Sequence, residues 1–157
     1  MNFLIGEYEC KLDAKGRMVV PVALKRQLPD VEREGLVVNR GFDGNLVIYT
    51  RTEWNKILSQ LSRLNQFQAK NRDFVRKFTS GATELTLDSA GRVLLPKNLL
   101  DYAQVGSELV LVCNLSKVEL WSKAKHEERM NAISEEDFSD LAESVMGDFD
   151  LEGGFNV

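Results

Sequence analysis

The chain contains one pattern twice, and this duplication limits what it can fold into more than any other feature. Residues 12–24 read Leu-Asp-Ala-Lys-Gly-Arg-Met-Val-Val-Pro-Val-Ala-Leu, and residues 87–99 read Leu-Asp-Ser-Ala-Gly-Arg-Val-Leu-Leu-Pro-Lys-Asn-Leu. Leu, Asp, Gly, Arg, Pro and Leu coincide, and three apolar residues separate Arg from Pro in both copies. Further on, Tyr49-Thr50 and Trp121-Ser122 close two similar apolar segments with an aromatic-hydroxyl pair. A self-similar order of elements means one supersecondary unit used twice. A length of 157 residues allows one compact domain or two small units packed together.

The repeated elements can be read physically. Residues 7–12 and 82–87 alternate polar and apolar at period two, which predicts a half-buried strand in each copy. Asp13 and Asp88 then start a turn, because an Asp carboxylate accepts from backbone N–H groups two residues on. Gly16 and Gly91 supply the positive φ such a turn requires. A short apolar strand follows, and Pro21 and Pro96 convert strand to helix, predicted at 22–28 and 97–103. Strands are next expected at 36–39 and 109–113 and in the segments ending at Thr50 and Ser122, with Asp43-Gly44 as the hairpin turn of the first copy. Thr50 with Glu53 fits a helix capping box, and Trp54, Ile57, Leu58, Leu61 and Leu64 follow at helical spacing. A linker helix carrying Phe67, Phe74, Val75 and Phe78 is expected to stop near Gly81. Ser134 with Asp137 caps a last amphipathic helix that ends at Gly147, and the final ten residues look frayed.

Composition excludes several classes of function. With 43% hydrophobic and 28% charged residues the chain can build a core and is not a disordered protein. No apolar run approaches a membrane span, and the opening residues turn polar before a signal sequence could form, so the cytoplasm is the expected location. Cys10, Cys113 and His126 are too few and too scattered for a zinc site, so the cysteines read as small buried hydrophobes and the histidine as an exposed helical residue. His126-Glu127 begins a zinc-protease pattern, but Met130 stands where the second histidine belongs. No phosphate-cradle, dinucleotide or nucleophile-elbow motif occurs, and no cofactor or metal is implied.

The net charge of −4 hides a segregation. From Glu127 onward there are ten acidic residues and one basic, a balance of −9, while residues 1–126 carry +5. A basic body is compatible with nucleic-acid binding, which depends on local phosphate neutralisation. The basic run from Arg51 to Lys77 taken alone reads as a solvated helix face.

Two duplicated Asp turns permit two kinds of chemistry. Brought together, Asp13 and Asp88 could share a proton as the carboxylate dyad of a hydrolase. Alternatively each turn presents the following arginine, Arg17 or Arg92, for recognition. A guanidinium beside each carboxylate favours ionisation of both, whereas a dyad needs one protonated. The Asp-Thr/Ser-Gly triplet of such enzymes is also absent. A third reading is a ring-forming scaffold that binds protein partners through the Trp54-bearing helix and the acidic tail.

The double Asp-x-x-Gly-Arg motif with three apolar residues before Pro resembles the MraZ family of bacterial transcriptional regulators, built from two SpoVT-AbrB-type units. Glu53-Trp54, Arg72 to Arg76, Gly81-Ala82-Thr83-Glu84 and Glu119-Leu120-Trp121 match as well, so the resemblance covers about residues 5–130. It implies an α+β fold of two intertwined swapped-hairpin units forming one barrel-like core with flanking helices. The expected divisions are 5–66 for the first unit, 67–80 for the linker helix, 81–131 for the second unit and 132–157 for the acidic tail. Each half, at roughly 60 residues, would bury too little surface to stand alone. The resemblance further implies a ring-shaped homo-oligomer, associated with the nucleoid, that binds G-containing direct repeats in double-stranded DNA upstream of the division and cell-wall gene cluster and represses it. No enzymatic activity is implied. Arginine offers a planar fork matching guanine O6 and N7, so Arg17 and Arg92 are the expected base readers. Lys15, Lys11 and Lys97 are expected phosphate contacts, Asp13, Gly16, Asp88 and Gly91 form the motif turns, and Ala90 leaves the second turn without a counterpart to Lys15.

Overall fold

The computed structural model describes residues 3–147 and shows an α+β fold with two antiparallel sheets. In chain order the first half contributes β1 (Glu7–Lys11), β2 (Arg17–Val19), α1 (Val22–Lys25), α2 (Val31–Glu34), β3 (Leu36–Arg40), β4 (Leu46–Thr50), α3 (Arg51–Ser62) and α4 (Ala69–Thr79). The second half repeats the scheme with β5 (Thr83–Leu85), β6 (Arg92–Leu94), α5 (Lys97–Tyr102), β7 (Glu108–Asn114), β8 (Lys117–Ser122), α6 (Lys123–Asn131) and α7 (Glu135–Met146).

Strands of the two halves interleave in one sheet. The larger sheet runs β1-β7-β8-β4-β3-β5, so β1 of the first half lies on the hairpin of the second and β5 of the second on the hairpin of the first. The central β4–β8 pairing joins the two hairpins, and β2 pairs with β6 as a separate two-stranded ribbon. Among the described residues the strands do not close into a barrel. The larger sheet ends at β1 and at β5, and the latter, with three residues bonded to β3, offers few backbone groups to a second neighbour.

The main core draws on both halves. Met18, Val20, Leu24, Val38, Leu46 and Ile48 pack in one cluster with Val93, Leu95, Leu99, Leu109, Leu111 and Leu120. A smaller cluster joins Val37, Val47, Tyr49 and Trp54 to Ile57 and Phe78. Its rings meet at 5.4 Å for Tyr49 and Trp54 and at 6.1 Å for Trp54 and Phe78. The fully buried Asn39 donates from Nδ2 to the Phe78 carbonyl at 2.7 Å, which ties the end of α4 to β3. The expected cap of α3 is present, with the Glu53 N–H donating to Thr50 Oγ1 at 3.2 Å.

Several expected elements differ in extent. The helix foreseen at 22–28 stops at Lys25, and a separate turn of helix, α2, forms after Pro29 and the left-handed Asp30 (φ 57°). The strand foreseen at 82–87 ends at Leu85 because β3 offers it only Leu36, Val37 and Val38 as partners. Phe67 lies outside the linker helix, in a break where the Asn65 side chain accepts from its N–H at 3.0 Å. Cys10 and Cys113 are half-buried rather than buried, packed against the core. Burial pushes the Cys10 thiol up to about 11, away from thiolate chemistry at neutral pH.

The chain divides into a compact unit up to Lys123 and a second from Ala124 on. In the second unit, His126 lies half-exposed on α6. Ser134 Oγ accepts from the Asp137 N–H at 3.1 Å to start α7, which ends at Met146 with Gly147 as its cap. The expectation of a frayed end falls on residues 148–157, outside the described residues. Among the described residues no helix is long and apolar enough to cross a membrane, and no cluster of His, Cys, Asp and Glu could hold a metal ion.

Candidate functional site

Both Asp-x-x-Gly-Arg segments fold into the same closed turn. Asp13 Oδ1 accepts from the backbone N–H groups of Lys15 at 2.9 Å and Arg17 at 2.8 Å, while Asp88 Oδ1 accepts from those of Ala90 and Arg92, each at 2.9 Å. The Gly16 and Gly91 N–H groups close the turns onto the Asp13 and Asp88 carbonyls at 3.1 and 3.0 Å. Both glycines are left-handed, with φ of 85° and 75°, as the turn reading requires.

The second carboxylate oxygen fixes the arginine. Asp13 Oδ2 accepts from Arg17 Nε at 2.7 Å and Asp88 Oδ2 from Arg92 Nε at 2.8 Å. Each pair engages Nε, so the terminal guanidinium nitrogens remain unbonded among the described residues. The arginine side chains are 32% and 34% exposed, which leaves those nitrogens open to an external acceptor. The Arg17 backbone N–H, followed by its guanidinium and the Lys15 N–H, outweighs desolvation and holds Asp13 below the usual carboxylate range. The Arg92 backbone N–H, followed by its guanidinium and the Ala90 N–H, does the same for Asp88.

The β2–β6 ribbon sets the two turns relative to each other. In register Arg17 faces Leu94, Met18 faces Val93 and Val19 faces Arg92, so antiparallel pairing puts the two Asp turns at opposite ends of the ribbon. Side chains alternate across it. Met18 and Val93 enter the core at 2% and 1% exposure, while Arg17, Val19, Leu94 and Arg92 share the outer face. Arg17 and Arg92 occupy diagonal positions there, with Cα atoms about 7–8 Å apart by sheet geometry. A carboxylate dyad does not fit this layout, since each Asp turns to its own arginine and both are held ionised.

The expected lysines divide. Lys15 and Lys97 line one groove of about 920 Å³ beside Asp13 and Leu94; Lys97 also pairs with Asp101 at 3.1 Å. Lys11 is not brought there. It ends β1 opposite Glu108 and lies in a cleft with Glu9 and Lys123, where both carboxylates reach Lys123, at 3.9 and 3.8 Å. Lys25, not among the expected residues, lines the cleft beside Asp88 and Ser89 and is ion-paired with Glu32. Its only signal was a basic residue one turn after Pro21. The outward Val19 and Leu94 leave no mark in the sequence, because an unbroken apolar triplet carries no visible alternation.

Comparison with known proteins agrees with the duplication. The family model for the MraZ protein, described as antitoxin-like, matches the chain twice, over residues 3–77 and 78–149. A protein of Christiangramia forsetii named transcriptional regulator MraZ is 45% identical over 96% of this chain and 97% of its own length. Proteins of the same name from Flavobacterium psychrophilum and Cytophaga hutchinsonii are 41% and 42% identical, over 94% and 93% of this chain and 94% and 96% of theirs.

Proposed function

This chain belongs to the MraZ family, and from that premise we propose that it regulates transcription by reading double-stranded DNA with the outer face of its β2–β6 ribbon. The observation that carries the proposal is the pair of anchored guanidiniums on that one face. Anchoring through Nε removes conformational freedom that binding would otherwise have to remove, and it leaves the terminal fork free for guanine O6 and N7. A two-stranded ribbon is also narrow enough to enter a major groove about 12 Å wide. Lys15 and Lys97 at one end, and Lys25 at the other, are positioned to neutralise flanking phosphates. Lys11 lines a cleft that contains no residue of either turn and is left out of this role.

On this reading residues 5–66 and 81–131 are two swapped-hairpin units joined through 67–80, with 132–157 as a separate acidic segment. Subunits join in a ring associated with the nucleoid and repress the division and cell-wall gene cluster. A ring joined head to tail presents every ribbon in the same sense, so direct repeats of a G-containing box at about one helical turn, roughly 10 base pairs, are its operator. A second reading, a scaffold for protein partners, draws on α7, where Phe138, Leu141 and Val145 are exposed on an acidic helix.

Binding to the DNA upstream of the chain's own gene, measured by fluorescence anisotropy at two salt concentrations, tests the proposal. Arg17→Ala and Arg92→Ala each weaken specific binding by about 1–3 kcal/mol, whereas Lys15→Ala weakens all sequences alike and lowers the salt slope by about 1. Separating the repeats by an extra half turn abolishes the gain from linked subunits. Folded arginine variants that bind as the parent does would overturn the base-reading role.

A further inference from the structure

Resting on the reading of the ribbon as the DNA-contacting face, we propose that Val19 and Leu94 are specificity-determining residues that receive the C5-methyl groups of thymines next to the guanines read by Arg92 and Arg17. Val19 is 55% and Leu94 59% exposed, although each is flanked in the chain by residues that are almost fully buried. Met18, Val20, Val93 and Leu95 already fill the core side of the strands, so folding makes no demand for large aliphatic side chains on the outer side. The same face holds no other residue of β2 or β6 except the two arginines.

The hydrogen bonds flanking the ribbon define which pairs lie closest. Val20 N–H donates to the Gly91 carbonyl and Leu95 N–H to the Gly16 carbonyl, each at 3.0 Å. By the alternation of an antiparallel ladder, Arg17 with Leu94 and Val19 with Arg92 are then non-hydrogen-bonded pairs, whose Cα atoms lie about 4.5 Å apart. The outer face therefore presents the same couple twice, one anchored guanidinium beside one aliphatic side chain, related by the pseudo-twofold axis of the ribbon. Neighbouring base pairs stack about 3.4 Å apart, so one couple spans adjacent steps. In the major groove a guanine offers two acceptors in the plane of the fork, and the thymine methyl is the apolar feature that an aliphatic side chain can cover. The unbonded terminal N–H donors of the two guanidiniums select the occupant: they favour a surface that offers paired acceptors beside apolar spots over an aliphatic protein surface.

Duplex DNA of the chain's own upstream region, prepared once with thymine and once with deoxyuridine throughout, tests the proposal, since deoxyuridine pairs identically and lacks only the methyl group. The full chain is expected to bind the deoxyuridine duplex more weakly by roughly fourfold for each methyl it covers. Val19→Ala and Leu94→Ala should each remove one such step, and the double variant should bind both duplexes equally. Val19→Thr, which keeps the β-branched shape suited to a strand, should retain part of the discrimination and serves if the alanine variant does not fold. Equal binding of the two duplexes by the parent chain, or undiminished discrimination by the double variant, would sink the methyl contact while leaving DNA binding intact. A failure of the parent to prefer its upstream duplex over unrelated DNA would overturn the ribbon reading as well. A loss of subunit assembly in the double variant by sedimentation velocity would assign this face to contacts between copies and end the proposal.

Discussion

Asp13 and Asp88 are bonded to arginine side chains and to backbone N–H groups, so their ionisation is linked to folding. Both have folded values below the ordinary 3.8, which means the folded chain binds fewer protons than the unfolded chain across that range. Their contribution is complete above the ordinary value and disappears as pH falls through the lower folded value. Urea midpoints followed downward from neutral pH are expected to drop below about pH 4, and the Asp13→Asn/Asp88→Asn double variant to show a shallower drop. An unchanged acid limb in that variant would mean that other carboxylates govern acid unfolding. Fixing the turn and the proposed reading of bases are compatible roles for Arg17 and Arg92, because Nε serves the first and the terminal nitrogens are left for the second.

At the scale of elements, the ribbon is a pair of three-residue strands, far too short to persist alone. What holds it is the inward row of alternate residues. Met18→Ala, at a site 2% exposed, should cost about 2–5 kcal/mol in denaturant titration. Val19→Ala, one residue on and facing outward, should stay within about 0.5 kcal/mol. Similar losses at both positions would show that the outer face is packed against something in solution. The cap of α3 provides an independent measure. Thr50→Ala removes the acceptor for the Glu53 N–H and should lower stability by about 1 kcal/mol without touching DNA affinity.

At the scale of the molecule, each half depends on the other for strand partners. Among the described residues β1 pairs only with β7, β5 only with β3, and each ribbon strand only with its counterpart, so neither half has a complete sheet. Residues 3–77 and 78–147 made separately are expected to give poorly dispersed amide spectra, and their equimolar mixture to recover dispersion. A monomeric, well-dispersed 3–77 would contradict that dependence. The segment after Ile133 is different in kind, since α7 carries five acidic residues and no basic one and belongs to the unit that follows Lys123. Deleting residues 134–157 should leave the midpoint of the body in place and should not reduce DNA affinity, because a segment of that charge repels phosphate. Lost binding in the truncated chain would give the acidic segment a part in assembly.

Much of this protein is local chemistry and was therefore legible in the sequence. The Asp carboxylate that caps its own turn, the glycine with positive φ, the proline that ends each strand and the hydroxyls of Thr50 and Ser134 all act within about four residues, so spacing alone reveals them. The duplication likewise announced one order of elements used twice and the pair of arginines. Partner choice was not legible. That β1 crosses to β7 and β2 to β6 depends on groups about a hundred and about seventy-five residues away, and a strand's pattern states which residues alternate without naming the neighbour. The same gap hid the outward direction of Val19 and Leu94 and the separate cleft that Lys11 lines. An all-apolar triplet looks alike from both faces, and a lysine's neighbours on the surface are set by the strand that the fold pairs with its own.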